Sequence, residues 1–559
     1  MTKKYDGIPR LIPEAEAAQA QQCLRVFGHY RHYREAAFAS HWEEVAELVI
    51  PTSRNTFFYG AANTPGEKKS QRQVDATGMM ALERFAAICD SLLTPRNMKW
   101  HMLGAEAEYL LKDYNTRLWY EEVTNLLFRY RYAPTANFAG QNQNVYHSLG
   151  AFGTASMAVD KFRGGERGLR YTALPLGETY FGQNQQGIID RMFRHFRFTA
   201  EQAEEKWPGS LPECMWKALE NGDQKRFDFL HWVCPRDDSS YDPERIDARG
   251  KRFSSLYISV DGKCLMGEEG GFNVFPAPAS RYVQTPNEVY GRGPAMFVLP
   301  SLKTLNAEKR TFLKQGHRAA DPVLLTLDDG LVDFSLRPGA LNKGGWSADG
   351  KPLVGVLPTG EIQISKEMMQ EERQLINDAF LVTLFQILTE TPAMTATEVI
   401  ERTNEKGILL APTVGRQQSE YLGPMIDREL DVLAEQRLLP PMPPLLKEAG
   451  GDYSVTYTSP LSRAMRAQEA AGFMRSLEVS KSLVDTTQDA SHLDIYDLDT
   501  AQREIAEINA VPFKWMASGQ AVAQKREARA KVQAEQMKTQ QMPAQAAMLK
   551  AAATVEGRA

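Results

Sequence analysis

The sequence predicts an α+β chain that is mainly helical. Three observations carry that reading. Two long amphipathic helical patterns, within residues 291–320 and 365–388, enclose an insert of strand-like runs and glycine- and proline-rich turns. A second β-rich stretch runs from Phe227 to Ala295. Over most of the remaining chain apolar residues recur at three- and four-residue steps, the period of a half-buried helix.

Taken in order, Pro13 to Ile50 reads as helix, and Thr52 to Lys69, rich in Gly, Asn, Pro and Lys, as an exposed loop. Helices follow over Asp75 to Leu93 and Tyr109 to Tyr130, then a helix into Leu149, a glycine-punctuated turn, and a strand from Ala155 to Lys161. Short strands are expected between Leu169 and Arg197, and a capped helix over Thr199 to Trp207. Asp261-Gly262 joins two strand runs as a hairpin signal. Pro276 and Pro278 confine any strand there to a sheet edge, because proline cannot donate to a ladder.

The first long helix places Leu299, Leu302, Leu305, Phe312 and Leu313 on one face, with Pro300 in its first turn, where a missing N–H costs nothing. The insert carries Asp329-Gly330, Pro338-Gly339, Gly344-Gly345 and Asp349-Gly350, turn signals between three or four short strands. The second helix is expected to start at Ser365 as N-cap and to bury its apolar second half, Ala379 to Leu388. Beyond Thr395 a helical stretch to Leu439 is broken by Gly407, Pro412, Gly415 and Pro424. Pro440 to Pro444 reads as a stiff linker. Helices resume over Leu461 to Leu483 and Thr500 to Ala510. An Ala- and Gln-rich tail begins at Gly519, with the cations Lys525, Arg526, Arg529 and Lys531 clustered near its start.

Composition bounds the function. The 559 residues are 43% hydrophobic and 24% charged with a net charge of −5, ordinary for a globular protein of two to four domains. That balance argues against tight, non-specific grip on nucleic acid. No apolar run has membrane-spanning length and no signal core follows MTKKYDGIPRL. Five cysteines without CxxC spacing fit buried thiols in a reducing compartment. No catalytic, metal or cofactor constellation stands out. The GxxxxGK[ST], GxSxG and HExxH patterns are missing, and Gly291-Arg292-Gly293 opens a helix and not a βαβ unit. His29 and His32 show no ligand set, and Glu371-Glu372 and Asp328-Asp329 read as solvated charges.

Several blocks, in order, resemble the head-to-tail connector, or portal, proteins of short-tailed bacteriophages. They are DATGMMALERFAAICDSLLTPRNMKW (Asp75 to Trp100), NFAGQNQNVYHSLGAFGTASM (Asn137 to Met157), VYGRGPAMFVLPSLKTLN (Val289 to Asn306), VTYTSPLSRAMRAQ (Val455 to Gln468) and AVPFKWMAS (Ala510 to Ser518). The resemblance implies a portal fold. Residues 1–290 and 396–439 would form the wing, 291–320 and 365–388 a two-helix stem, and 321–364 an α/β clip. A tunnel loop would span 389–395, a helical crown 440–518, and a helical barrel or flexible tail 519–559.

It further implies a ring of about twelve copies at one capsid vertex, closed by cyclic symmetry. Double-stranded DNA would pass through weakly and non-specifically during packaging and ejection. The expected partners are terminase, a tail adaptor, and the major capsid and scaffold proteins, with no membrane and no cofactor. The virion is the expected location, and the host cytoplasm during assembly. The other reading is a monomeric capsid or tail adaptor without a DNA channel.

On this reading Glu367, Glu371, Glu372 and the loop Thr389, Glu390, Thr391, Pro392, Ala393, Met394 and Thr395 are the channel candidates. The stem cations Lys309, Arg310, Lys314 and Arg318 pair with the acids, within one hairpin or between neighbouring copies. In the clip Arg337, Lys343, Trp346 and Lys351 are candidates for motor or adaptor contact, with Trp346 either an interface residue or locally buried. The cations from Lys525 to Lys531 either touch DNA or scaffold protein, or are simply solvated.

Overall fold

The computed structural model describes residues 10–61, 66–162, 167–237, 239–326, 335, 337–341, 345–347, 349–358, 362–383, 412–487, 489–508, 511, 515–517 and 519–534. The chain forms two compact units that cut across its linear order. The first comprises Met1–Met98, Leu127–Leu438 and Ser459–Met465; the second Lys99–Leu126, Leu439–Thr458 and Arg466–Ala559.

In the first unit a six-stranded antiparallel sheet runs in the order Thr179–Gln183, Ile189–Thr199, Arg226–Pro235, Phe253–Ser259 and Cys264–Leu265, with Gly270–Phe272 also paired to Phe253–Ser259. Side chains alternate across it. One face sets Phe193, Leu230, Leu256 and Ile258 against Ala20, Cys23 and Phe27 of the helix Glu14–Arg34. The other sets Phe227 and Phe229 against Trp207, Met215 and Trp216 from the short helices Ala200–Lys206 and Glu213–Glu220. The expected cap on the first of these is present. Thr199 and Gln202 form a reciprocal capping box.

A three-stranded sheet orders Ala279–Arg281, Thr154–Lys161 and Leu169–Leu174. The prolines behave as edge residues must. The carbonyls of Pro276 and Pro278 accept from Val159 N and Met157 N, and no donor is asked of the rings. A shared core joins the helices Ser40–Val49, Thr77–Leu93, Phe138–Phe152, Leu299–Ala320 and Ile362–Ala379 through Trp42, Phe85, Phe152, Leu302 and Ile376.

The second unit pairs His101–Gly104 antiparallel with Ser454–Tyr457. The proline run read as a stiff linker is docked within this unit: Trp119 Nε1 donates to Pro440 O at 3.2 Å, and Pro444–Glu448 is a helical turn with Leu446 buried. In this unit Tyr496 makes hydrogen bonds with Ser476 (2.5 Å) and Ser480 (3.2 Å), on the part of the long helix Pro460–Thr487 that follows Met465. Asp499, on the helix Leu498–Ile508, receives both arms of Arg526 at 2.6 Å.

Several expectations are corrected. The helix read over Tyr109 to Tyr130 breaks into Glu108–Lys112 and Tyr114–Arg131, because Asp113 Oδ2 accepts from the Thr116 amide and hydroxyl and so starts a new helix. Ser365 is no N-cap. The second long helix begins at Ile362, and Ser365 Oγ instead donates to Gln315 Oε1 across the helix pair. That helix stops at Ala379, where Leu381 takes a φ of 62°, a left-handed conformation that no helix continues through. Leu313 is exposed, since the apolar face ends with the partly buried Phe312. At the Asp261-Gly262 turn the positive φ falls on Lys263.

Candidate functional site

The helix pair Leu299–Ala320 and Ile362–Ala379 is built outward from its buried end. Leu299, Leu302 and Leu305 recur at three-residue steps and are buried, each contributing about 1.5–3 kcal/mol. Gly78 lets the neighbouring helix Thr77–Leu93 approach, for a Cβ there would lie 2.6 Å from Leu302 Cδ2. One turn on, Asn306 Oδ1 accepts from the amides of Val74 (2.7 Å) and Asp75 (3.3 Å), and its Nδ2 donates to Arg72 O.

Asp75 completes the joint. Its Oδ1 accepts from Thr77 N at 2.9 Å and its Oδ2 pairs with Arg373 at 2.8 Å. Burial pushes this carboxyl up, but the Arg373 guanidinium and the Thr77 donors outweigh it and hold it below the ordinary value. The first and third sequence blocks therefore meet here, tying both long helices to the body of the unit.

Beside this joint lies a cleft of 530 Å³ lined by Glu44, Glu47, Leu48, Arg72, Lys303, Asn306, Ala307 and Arg310. Lys303 pairs with Glu44 at 2.7 Å and Arg72 with Glu47 at 3.4 Å. These half-exposed pairs are worth at most about 1 kcal/mol each.

The structure places the expected site residues unevenly. Glu367 and Glu371 are exposed on the second helix, whereas Glu372 turns inward. Among the stem cations, Arg310 donates to Arg72 O at 2.6 Å and Lys309 lies 5.5 Å over the Phe312 ring, while Lys314 and Arg318 are exposed. Arg310 and Lys309 thus have partners within the first unit other than the acids of the second helix.

At the tip, Leu324–Thr326 pairs antiparallel with Val354–Val356, and Trp346 bridges Pro352. Trp346 is 69% exposed, which resolves its two sequence readings in favour of a surface residue. Arg337 and Lys351 are also exposed. Lys343, the loop Thr389 to Thr395 with Glu390, and residues 384–388 lie outside the described residues.

Two further clusters explain the sequence blocks. Gly153, with φ 72°, closes the helix Phe138–Phe152. A Cβ on it would lie 2.3 Å from Arg292 C and Gly293 N, and one on Gly293 would lie 2.7 Å from Gly153 N. Gly291 N donates to Thr154 Oγ1 at 2.8 Å. Gly291-Arg292-Gly293 is thus a backbone crossing that delivers the chain into the first long helix, and no phosphate cradle. Deeper in the same unit, Asn142 Nδ2 donates to Asp90 (2.9 Å) and Thr94 (2.8 Å), and its Oδ1 accepts from Tyr421 at 2.8 Å.

Sequence reasoning missed Asp75, Asn306 and Arg373 as a functional joint. At Asn306 the available signal was a polar residue where the helix-face pattern asks for an apolar one, whereas Asp75 precedes the helix Thr77–Leu93 and carries no such mark. Among the described residues no group of His, Cys, Asp or Glu side chains could hold a metal ion, and no helix is long and apolar enough to cross a membrane.

A braced two-helix hairpin with a small β tip, charged along its exposed faces, defines a structural connector class. The chain belongs to the bacteriophage head to tail connecting protein family, whose model matches residues 20–516. It is 27% identical over 463 residues to the "Probable portal protein" of Bordetella phage BPP-1, covering 81% of each chain. It is 26% identical over 535 residues to the "Portal protein" of Salmonella phage epsilon15, covering 92% of this chain and 91% of that one. Among solved structures, the neck of an empty GTA particle computed with C6 symmetry aligns at 12% identity and a TM-score of 0.34, over 70% of this chain and 84% of that one.

Proposed function

We propose that this protein is a phage portal subunit: a component of the virion that closes into a ring at one capsid vertex, passes DNA during packaging and ejection, and docks the packaging motor and then the tail. The observation that carries the reading is the family match, which runs from residue 20, inside the first helix, to residue 516 and so takes in both long helices and the body of the first unit. In this scheme residues 291–320 and 365–388 are the stem, which takes in most of the helices Leu299–Ala320 and Ile362–Ala379, residues 321–364 are the clip, and residues 389–395 the tunnel loop. Residues 1–290 and 396–439 are the wing, residues 440–518 the crown, and residues 519–559 a helical barrel or tail. The ring would have about twelve copies, the number the family resemblance implies, closed by a heterologous interface repeated at a fixed rotation. Assembly takes place in the host cytoplasm.

The chain itself supplies a passive wall. The exposed Glu367 and Glu371 give one helix an acidic face, and Lys314 and Arg318 give the other a basic one. Neighbouring copies set these faces together, so the lumen presents little net attraction to phosphate and duplex slides while another protein supplies the force. Imaging and light scattering of the purified full-length chain test the reading. Closed rings with a central hole support it. A monodisperse single copy under assembly conditions overturns it.

A further inference from the structure

The seam between the two long helices contains an anomaly that the portal reading does not use. On the first helix the inward face runs Leu302, Leu305, Glu308, Phe312, steps of three, three and four residues. On the second it runs Met369, Glu372, Ile376, steps of three and four. Met369 and Ile376 are buried and Phe312 packs against the same core, so each helix places a glutamate where the period calls for an apolar residue. Both glutamates have an Oε2 shut off from solvent with no hydrogen-bond partner. An orphaned buried carboxylate oxygen is costly, and two across one seam more so, because like charges repel.

The surrounding charges are committed elsewhere. Arg373, next to Glu372, is held by Asp75. From the helix Ser40–Val49, Glu44 and Glu47 are taken by Lys303 and Arg72. On the first helix itself Lys309 lies over Phe312 and Arg310 reaches Arg72 O. Burial and the charge of Glu372 both push the Glu308 carboxyl above the ordinary glutamate value.

We infer that Glu308 and Glu372 share one proton across the seam, making the helix pair a pH-responsive clasp. With one proton the O–H of one carboxyl donates to the other carboxylate, and both orphaned oxygens lose their penalty. Without it two anions face each other and the seam loosens. A carboxyl raised in the folded state binds more protons folded than unfolded. The clasp therefore weakens as pH rises through the folded value and tightens as pH falls toward it. A polar pair inside an otherwise apolar seam also fixes the register of the two helices.

Infrared difference spectroscopy of the full-length protein, titrated through the acidic to neutral range, reads the shared proton directly. The expected result is a protonated-carboxyl C=O band that persists above the pH at which ordinary glutamates ionise and is lost in both Glu308→Gln and Glu372→Gln. Hydrogen exchange of the amides in residues 362–379 is expected to slow on acidification in the wild type and to become pH-independent in both variants, beyond the intrinsic exchange correction. If either variant fails to fold, the wild-type band and exchange profile decide alone. Absence of the persistent band, its survival in either variant, or slowing of exchange by added magnesium in place of protons overturns the inference. None of these readouts depends on ring formation.

Discussion

Arg131 and Glu429 meet inside the first unit with no exposed surface on either side chain, Nε standing 3.0 Å from Oε1 and Nη2 2.5 Å from Oε2. The Tyr171 hydroxyl donates to the same Oε1 at 2.6 Å. Burial alone would lower the guanidinium pKa, but the charge and hydrogen bonds of Glu429 outweigh it and raise the value. The pair joins the helix Tyr114–Arg131 to Gly423–Glu435.

Breaking that pair from one side strands a charge in the core. Arg131→Ala is expected to cost about 3–5 kcal/mol, while the double variant R131M/E429L, which removes both charges and keeps volume, recovers most of it. Urea unfolding followed by tyrosine and tryptophan fluorescence makes the comparison. An unchanged midpoint in R131A would show that the pair carries no structural load.

A matched pair of glycines separates backbone need from chance. Gly153→Ala puts a Cβ into the Arg292–Gly293 backbone at a position of positive φ, so a loss above about 2 kcal/mol is expected, from left-handed strain and the forced separation together. Gly316 sits within the helix Leu299–Ala320 with no atom within 4 Å of the point a Cβ would occupy, so Gly316→Ala is expected to stabilise by about 0.5–1 kcal/mol. Calorimetric melting of the two variants checks both signs.

The contrast between what the residues foretold and what they hid is physical. Leu299, Leu302 and Leu305 announce their helix because a half-buried helix writes a 3.6-residue period into its own sequence. Pro276 and Pro278 announce an edge for an equally local reason. The pairing of His101–Gly104 with Ser454–Tyr457 is invisible, since neither strand carries a signal naming a partner more than three hundred residues away. Ser365 misled because serine at the start of an acidic run looks like a cap, whereas its hydroxyl serves Gln315. The roles of Asp75, Asn306 and Glu308 emerge only when helices from separate blocks are set side by side.

His231 offers a pH test. It lies stacked on Tyr257 at 4.2 Å with Nε2 2.8 Å from Ser255 Oγ, and burial, then the nearby cations Lys206 and Arg194, bring its pKa down to about 3. Unfolded, the imidazole titrates near 6.5. The native state therefore binds fewer protons between those values, and this stabilisation, complete above about 6.5, is lost as pH falls toward 3. The ring Cε1 proton resonance of His231 is expected to stay constant from pH 8 down to pH values near 4. His231→Gln is expected to flatten the acid limb of the stability profile, and a resonance that moves through the neutral range would show the ring reachable by water.

Glu371 and Glu372 are adjacent in sequence and opposite in role, the first exposed and the second turned into the seam. A double reversal would therefore confound channel chemistry with packing. Glu371→Lys alone changes only an exposed charge, so stability is expected to stay within about 0.5 kcal/mol of wild type. The swing from anion to cation in every copy, repeated around a ring, turns a neutral or acidic wall into one that attracts phosphate. Particles assembled with this variant are expected to contain less DNA at a fixed packaging time, with the deficit shrinking as ionic strength rises and screens the attraction. Full genomes packaged at the wild-type rate at low salt would show that the charge of Glu371 does not set how the wall attracts DNA.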